Sequence, residues 1–178
     1  MEEAKRHDDY LVNILDSTGK IIGQKKRAEI DKLHDIYHGV FIFLITPLGE
    51  LIITKIPSRK DLPNLYAGKF GVPVATIRRS HETSLDAAKR ALKRELYIDA
   101  TPTFIGEGMR TFPDGSTTYA TSYYLVVEDV PEKFSAVDIG APKATSAHEL
   151  IKDLVLHPDR YAPTLKEAWL EWHARLPV

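Results

Sequence analysis

Between Glu82 and Ile98 the chain concentrates groups that could do chemistry at helical intervals. Glu82 stands eight residues before Arg90, and Glu95 five residues after it. Carboxylates on one helical face can hold a hard divalent cation through oxygen, and a carboxylate within reach of a guanidinium makes a strong, oriented ion pair. Glu82 and Arg90 therefore read either as a catalytic pair or as a brace between loop and helix. Glu95 reads either as a metal ligand or as a surface glutamate among its basic neighbours Lys93 and Arg94. A second set, Lys55, Arg59, Lys60, Arg78 and Arg79, brings enough positive charge to grip a phosphate group, although cations in such segments equally form an ordinary solvated loop. His34 and His38 have the i, i+4 spacing of two helical zinc ligands, but His38 adjoins a predicted strand and no third ligand accompanies them.

The elements that must position these groups follow from hydrophobic period and turn chemistry. Leu85, Ala88, Leu92 and Leu96 recur at helical spacing while Lys89, Arg90, Lys93 and Arg94 stay polar, which predicts an amphipathic helix over Thr83 to Tyr97. Tyr10 to Leu15 and Lys20 to Gln24 form a predicted hairpin about Ser17-Thr18-Gly19. Gly39 to Thr46 and Glu50 to Ile56 form a second about Pro47-Leu48-Gly49. A loop rich in turn formers, Pro57 to Asn64, precedes an extended piece from Lys69 to Ala75. Beyond the helix come strands at Thr103 to Arg110 and Thr118 to Glu128, then helices near Ser146 to Val155 and Thr164 to Arg175. Trp169 and Trp172 lie three apart on the last of these, a pattern for packing on the domain or on a second subunit.

Bulk properties narrow the field. The 178 residues, 43% of them hydrophobic, suffice for one domain with its own core. We read residues 1–178 as that single domain, with residues 1–8 frayed and residues 146–178 supplying helices that pack on it. A formal net charge of −1 provides no basic field for a nucleic acid polymer. With no cysteine, disulfides, thiolate metal sites and cysteine nucleophiles are excluded. The longest apolar stretch, Val40 to Thr46, is too short to span a bilayer, and a cytoplasmic protein is expected.

The segment from Glu82 to Ile98 resembles the second half of a Nudix box, usually written G-x5-E-x7-R-E-U-x-E-E-x-G-U with U aliphatic. Glu82 and Arg90 keep the E-x7-R spacing, Leu92 and Ile98 fill aliphatic positions, and Glu95 matches the last carboxylate. Asp9 to Gly23, Lys55 to Asn64 and Asp138-Ile139-Gly140 are similar to parts of the isopentenyl-diphosphate-isomerase-like branch, so the likeness covers nearly the whole chain. It implies an α/β class protein, a Nudix-fold α/β/α sandwich with a mixed β-sheet, that hydrolyses nucleoside diphosphate derivatives with Mg2+. Isomerisation itself needs a cysteine, and there is none.

The chain departs from that pattern where the metal should bind. The three glutamates of the box fall on Ala91, Arg94 and Glu95, so a face that should carry three negative charges carries one of each sign. A guanidinium about 6 Å from a divalent ion costs roughly 5 kcal/mol at an effective dielectric near 20. The opening glycine falls on Thr76 by strict count, or near Gly71 if three residues are inserted, and the closing glycine on Tyr97, so both turns are expected to depart from the family's geometry. Two functions follow from the resemblance. One is weak or absent hydrolysis with Glu82, Arg90 and Glu95 as catalytic residues, Glu95 as metal ligand, and Lys55, Arg59, Lys60 and Arg79 on the substrate. The other is a non-catalytic module that binds a phosphorylated, nucleotide-like small molecule or a protein partner, with a homodimer possible in either case.

Overall fold

The computed structural model describes residues 9–58 and 66–178, apart from the side chain of Trp172. Arg59, Lys60 and most of the loop expected to carry them lie outside the described residues, as do residues 1–8.

Nine strands and three α-helices are present among the described residues. In chain order they are β1 (Leu11–Leu15), β2 (Ile21–Lys26), β3 (Ile36–Ile45), β4 (Leu51–Lys55), β5 (Phe70–Gly71), β6 (Val74–Ile77), α1 (Ser84–Leu96), β7 (Thr103–Thr111), β8 (Thr117–Val126), β9 (Lys143–Thr145), α2 (Ala147–Leu156) and α3 (Pro163–Trp172). No helix among the described residues is long and apolar enough to cross a membrane.

Strand β3 organises the sheet. Along one side it pairs in parallel with β8 from Tyr37↔Thr118 to Ile45↔Val126. Along the other it meets β1, β6 and β4 in turn, all antiparallel. The expected hairpin of β3 and β4 is therefore a short contact, Leu44↔Ile52 and Ile45↔Leu51. The long partner of β3 comes from far along the chain, the non-local pairing that a mixed sheet requires.

Alternation along β3 and β4 divides the core into two layers. Val40, Ile42, Leu44 and Ile52 pack with Ala87, Ala88, Ala91, Leu92 and Leu96 of α1. Phe43, Ile45, Leu51 and Ile53 pack on the opposite face with Leu150 of α2 and Leu165, Ala168 and Trp169 of α3. The architecture is an α/β/α sandwich with a mixed sheet, as expected. Trp169, only 2% exposed, packs inside this domain.

Candidate functional site

Helix α1 begins at a reciprocal cap. The Thr83 hydroxyl accepts from the Asp86 N–H, and the Asp86 carboxylate accepts from the Thr83 N–H at 3.0 Å. Glu82 sits immediately before it, and both of its oxygens are occupied. Arg90 donates from Nε to Oε1 at 2.7 Å and from Nη2 to Oε2 at 2.9 Å, while the Arg79 N–H donates to Oε2 at 3.0 Å. The same Arg90 Nη2 reaches the Ile77 carbonyl at 3.0 Å. Burial works to raise the Glu82 carboxyl, but the bonds and charges of Arg90 and Arg79 outweigh it and hold the group below its ordinary range. One guanidinium thus ties loop, helix and β6 together, which is the geometry of a brace.

Glu95 is not the surface glutamate its basic neighbours suggest; only 2% of it is exposed. Its position faces inward one turn beyond Ala91, and the segment after β8 packs over it. Ser135 donates its N–H to the Glu95 carbonyl at 2.7 Å, and Phe134 and Ile139 join the core cluster of α1. Arg94 donates to the Glu95 carboxylate and lies 3.9 Å from Asp138, whose carboxylate also takes the Ser135 hydroxyl at 2.6 Å. Burial pushes the Glu95 carboxyl up to about 7; Arg94 opposes that shift and Asp138 adds to it.

Magnesium, which the Nudix resemblance implies, binds where several carboxylate and carbonyl oxygens converge. The positions available here are Ala91, fully buried and without a donor, Arg94, a cation, and Glu95, already paired with that cation. Among the described residues no three His, Cys, Asp or Glu side chains gather where a metal could be held. The donor set does not fit the ion.

The end of α1 carries a left-handed turn at the position where the Nudix resemblance expects glycine. Tyr97 adopts φ 57° and ψ 25°, the left-handed conformation, and its N–H closes the helix on the Leu92 carbonyl. It is the one non-glycine with positive φ among the described residues. A tyrosine here bears the steric cost that glycine would avoid.

Among the described residues, the anticipated cations take different partners. Arg79 stacks on Tyr10, 4.9 Å from the ring centre, and lies 3.9 Å from Glu82. Arg78 donates toward the Ser84 hydroxyl at 3.5 Å. Lys55, at the end of β4, instead faces Phe70, opposite it on β5, with its Nζ 5.5 Å from the ring centre. Two cations the sequence reading passed over meet the same ring: Lys143 of β9 at 4.1 Å and Arg160 at 6.0 Å. No local signal marks them, because β9, β4 and the turn before α3 come together only in the fold.

The two histidines also part. His34 pairs with Asp31 at 2.8 Å on the surface, whereas His38 lies on β3 against Tyr119. Burial, then the charge of Arg78, pushes the His38 imidazole down to about 4, so it is neutral near pH 7.

No family model and no curated protein matches the chain. Solved structures do. A hypothetical Nudix protein of Deinococcus radiodurans superposes with a TM-score of 0.76 at 18% identity, covering 92% of this chain and 99% of its own. A MutT protein from Methanosarcina mazei gives 0.61 at 15% identity over 79% and 94%. The NUDIX domain of Shewanella oneidensis NrtR, complexed with ADP ribose, gives 0.53 at 11% identity over 76% and 90%. At such identities the likeness establishes the fold: this chain has the Nudix α/β/α sandwich.

Proposed function

We propose that the chain is a Nudix-superfamily protein of the isopentenyl-diphosphate-isomerase-like branch in which metal-assisted hydrolysis is weak or absent. It serves instead as a binding module for a phosphorylated, nucleotide-like small molecule. The observation that carries this reading is the Arg94 guanidinium on a buried Glu95, beside an alanine where another carboxylate would be needed. A dication approaching that face meets positive charge and one carboxylate already neutralised. Retention of a binding role is supported by the fold itself, since one neighbour of the same architecture is complexed with ADP ribose.

The test is an incubation of the purified chain with nucleoside diphosphate derivatives, ADP ribose included, with and without magnesium. Phosphate and nucleoside monophosphate release are followed alongside calorimetric binding. The expected result is saturable binding that chelator leaves unchanged, with no product above the protein-free control. Magnesium-dependent turnover abolished by Glu95→Gln would replace this reading with a residual hydrolase, Glu95 its metal ligand and Glu82 with Arg90 in support.

A further inference from the structure

Lys55, Lys143 and Arg160 converge on a single aromatic ring. Their cationic groups lie 5.5, 4.1 and 6.0 Å from the centre of Phe70, which is itself only 8% exposed. The sheet imposes the arrangement. Phe70 is directly opposite Lys55 on β5, and Lys143 is opposite Ile53 on β9, two residues back along β4. Lys55 and Lys143 are thus diagonal neighbours on paired strands, a relation that places side chains roughly 7–8 Å apart. Arg160 enters because Tyr161 bridges to Phe70 and the Ala162 N–H donates to the Phe70 carbonyl at 2.8 Å.

Arg160 pairs with Asp153 at 3.1 Å, and that carboxylate also takes the Tyr161 hydroxyl at 2.5 Å; Asp153 and Glu149 interact with the Lys143 charge at longer range. Neither Lys55 nor Lys143 has a carboxylate in ion-pair contact among the described residues. A ring quadrupole attracts a cation weakly at an exposed site, and it does not cancel the repulsion between two lysine ammonium groups that face the same ring. An anion with several oxygens, spanning the two ammonium groups, would. The collar also adjoins the segment over the box helix, because the Lys55 carbonyl accepts the Gly140 N–H at 2.8 Å.

We infer that Lys55, Lys143 and Arg160 form a diphosphate-binding collar around Phe70, which holds the phosphates through side-chain cations without a metal. This rests on the proposed binding role and assigns its phosphate contacts to Lys143 and Arg160, beside Lys55. The ammonium groups supply point charges, and the guanidinium supplies paired N–H donors suited to phosphate oxygens.

The experiment is calorimetric titration of the full chain with inorganic diphosphate and with ADP ribose, in chelator, at low and at physiological salt. Wild type is compared with Lys143→Gln, with the double variant Lys143→Gln/Arg160→Gln, and with Lys20→Gln as a surface control. Circular dichroism checks that each folds. The expected result is at least a tenfold loss of affinity for both ligands in Lys143→Gln, a larger loss in the double variant, and no change in the control. Salt should weaken binding to wild type more than to the double variant. If wild type binds and the double variant binds equally well, the collar is wrong while the binding role stands. If wild type binds neither ligand, both fall.

Discussion

Arg90 on α1 meets Glu82 in the loop before it with two N–H···O bonds, 2.7 and 2.9 Å long. The pair is largely shielded from water, with side-chain exposures of 18% and 9%. A buried carboxylate left without its cation is costly even where the intact pair adds little net stability. Arg90→Gln should therefore destabilise the chain by about 2–4 kcal/mol, read from the urea midpoint at constant slope. Arg90→Lys should recover only part of the loss, because an ammonium cannot reproduce the fork. An unchanged midpoint in Arg90→Gln would contradict the bracing role.

Glu95 gives stability a pH dependence whose sign is fixed by its raised carboxyl. Between its ordinary value of 4.5 and about 7, the folded chain keeps a proton that the unfolded chain has released. Stability is therefore highest below that window and falls as pH rises through it, by about 3 kcal/mol in all. Glu95→Gln should lack this loss. Its midpoint relative to wild type should improve steadily from pH 5 to pH 8, and a difference independent of pH would refute the assignment. His38, pushed down to about 4 from 6.5, acts in the opposite sense: its contribution is lost as pH falls through that range. It is common to both proteins and drops out of the comparison.

Arg94 is the partner that makes an ionised Glu95 tolerable. Arg94→Gln should cost about 2–4 kcal/mol at pH 8 and much less at pH 5, where Glu95 is protonated and needs no counter-charge. Paired denaturation curves at the two pH values decide it, and an equal loss at both would mean that Arg94 acts through packing alone.

Tyr97 holds a left-handed backbone at the end of α1 while 64% of the residue is exposed. Little packing is lost on truncation, so Tyr97→Gly should stabilise by about 1 kcal/mol, and Tyr97→Ala should not, since alanine keeps the offending Cβ. Thermal unfolding of the two variants separates them.

Gly140 passes so close to β4 that an added Cβ would lie 2.7 Å from the Lys55 carbonyl oxygen. Backbone cannot yield as a flexible side chain can. Gly140→Ala should destabilise by about 1–3 kcal/mol and speed exchange of the backbone amide at position 140, which bonds to that oxygen. Unaltered exchange there would show that the segment adapts without loss.

The sequence by itself determined helix α1, because a period of 3.6 is a local property; the fold trims the expected span by one residue at each end, with Thr83 and Tyr97 as its caps. It likewise set the identities of Glu82 and Arg90 and the substitution of Ala91 and Arg94 for carboxylates. Eight residues of helix would hold Glu82 and Arg90 about 12 Å apart, and only the fold of the loop before Thr83 brings them into contact. Only the tertiary structure decided that β3 runs beside β8 rather than chiefly with β4, since strand pairing depends on which distant surfaces fit. It alone added β9, whose three residues are too few to show alternation. Burial of Glu95 was equally hidden, because the segment that covers it lies some forty residues further along. The collar of Lys55, Lys143 and Arg160 is the plainest case: three solvated cations in one dimension become neighbours when the strands and turn that carry them meet at Phe70. Local pattern dictates elements and charges; which of those charges share an environment is a property of the folded chain.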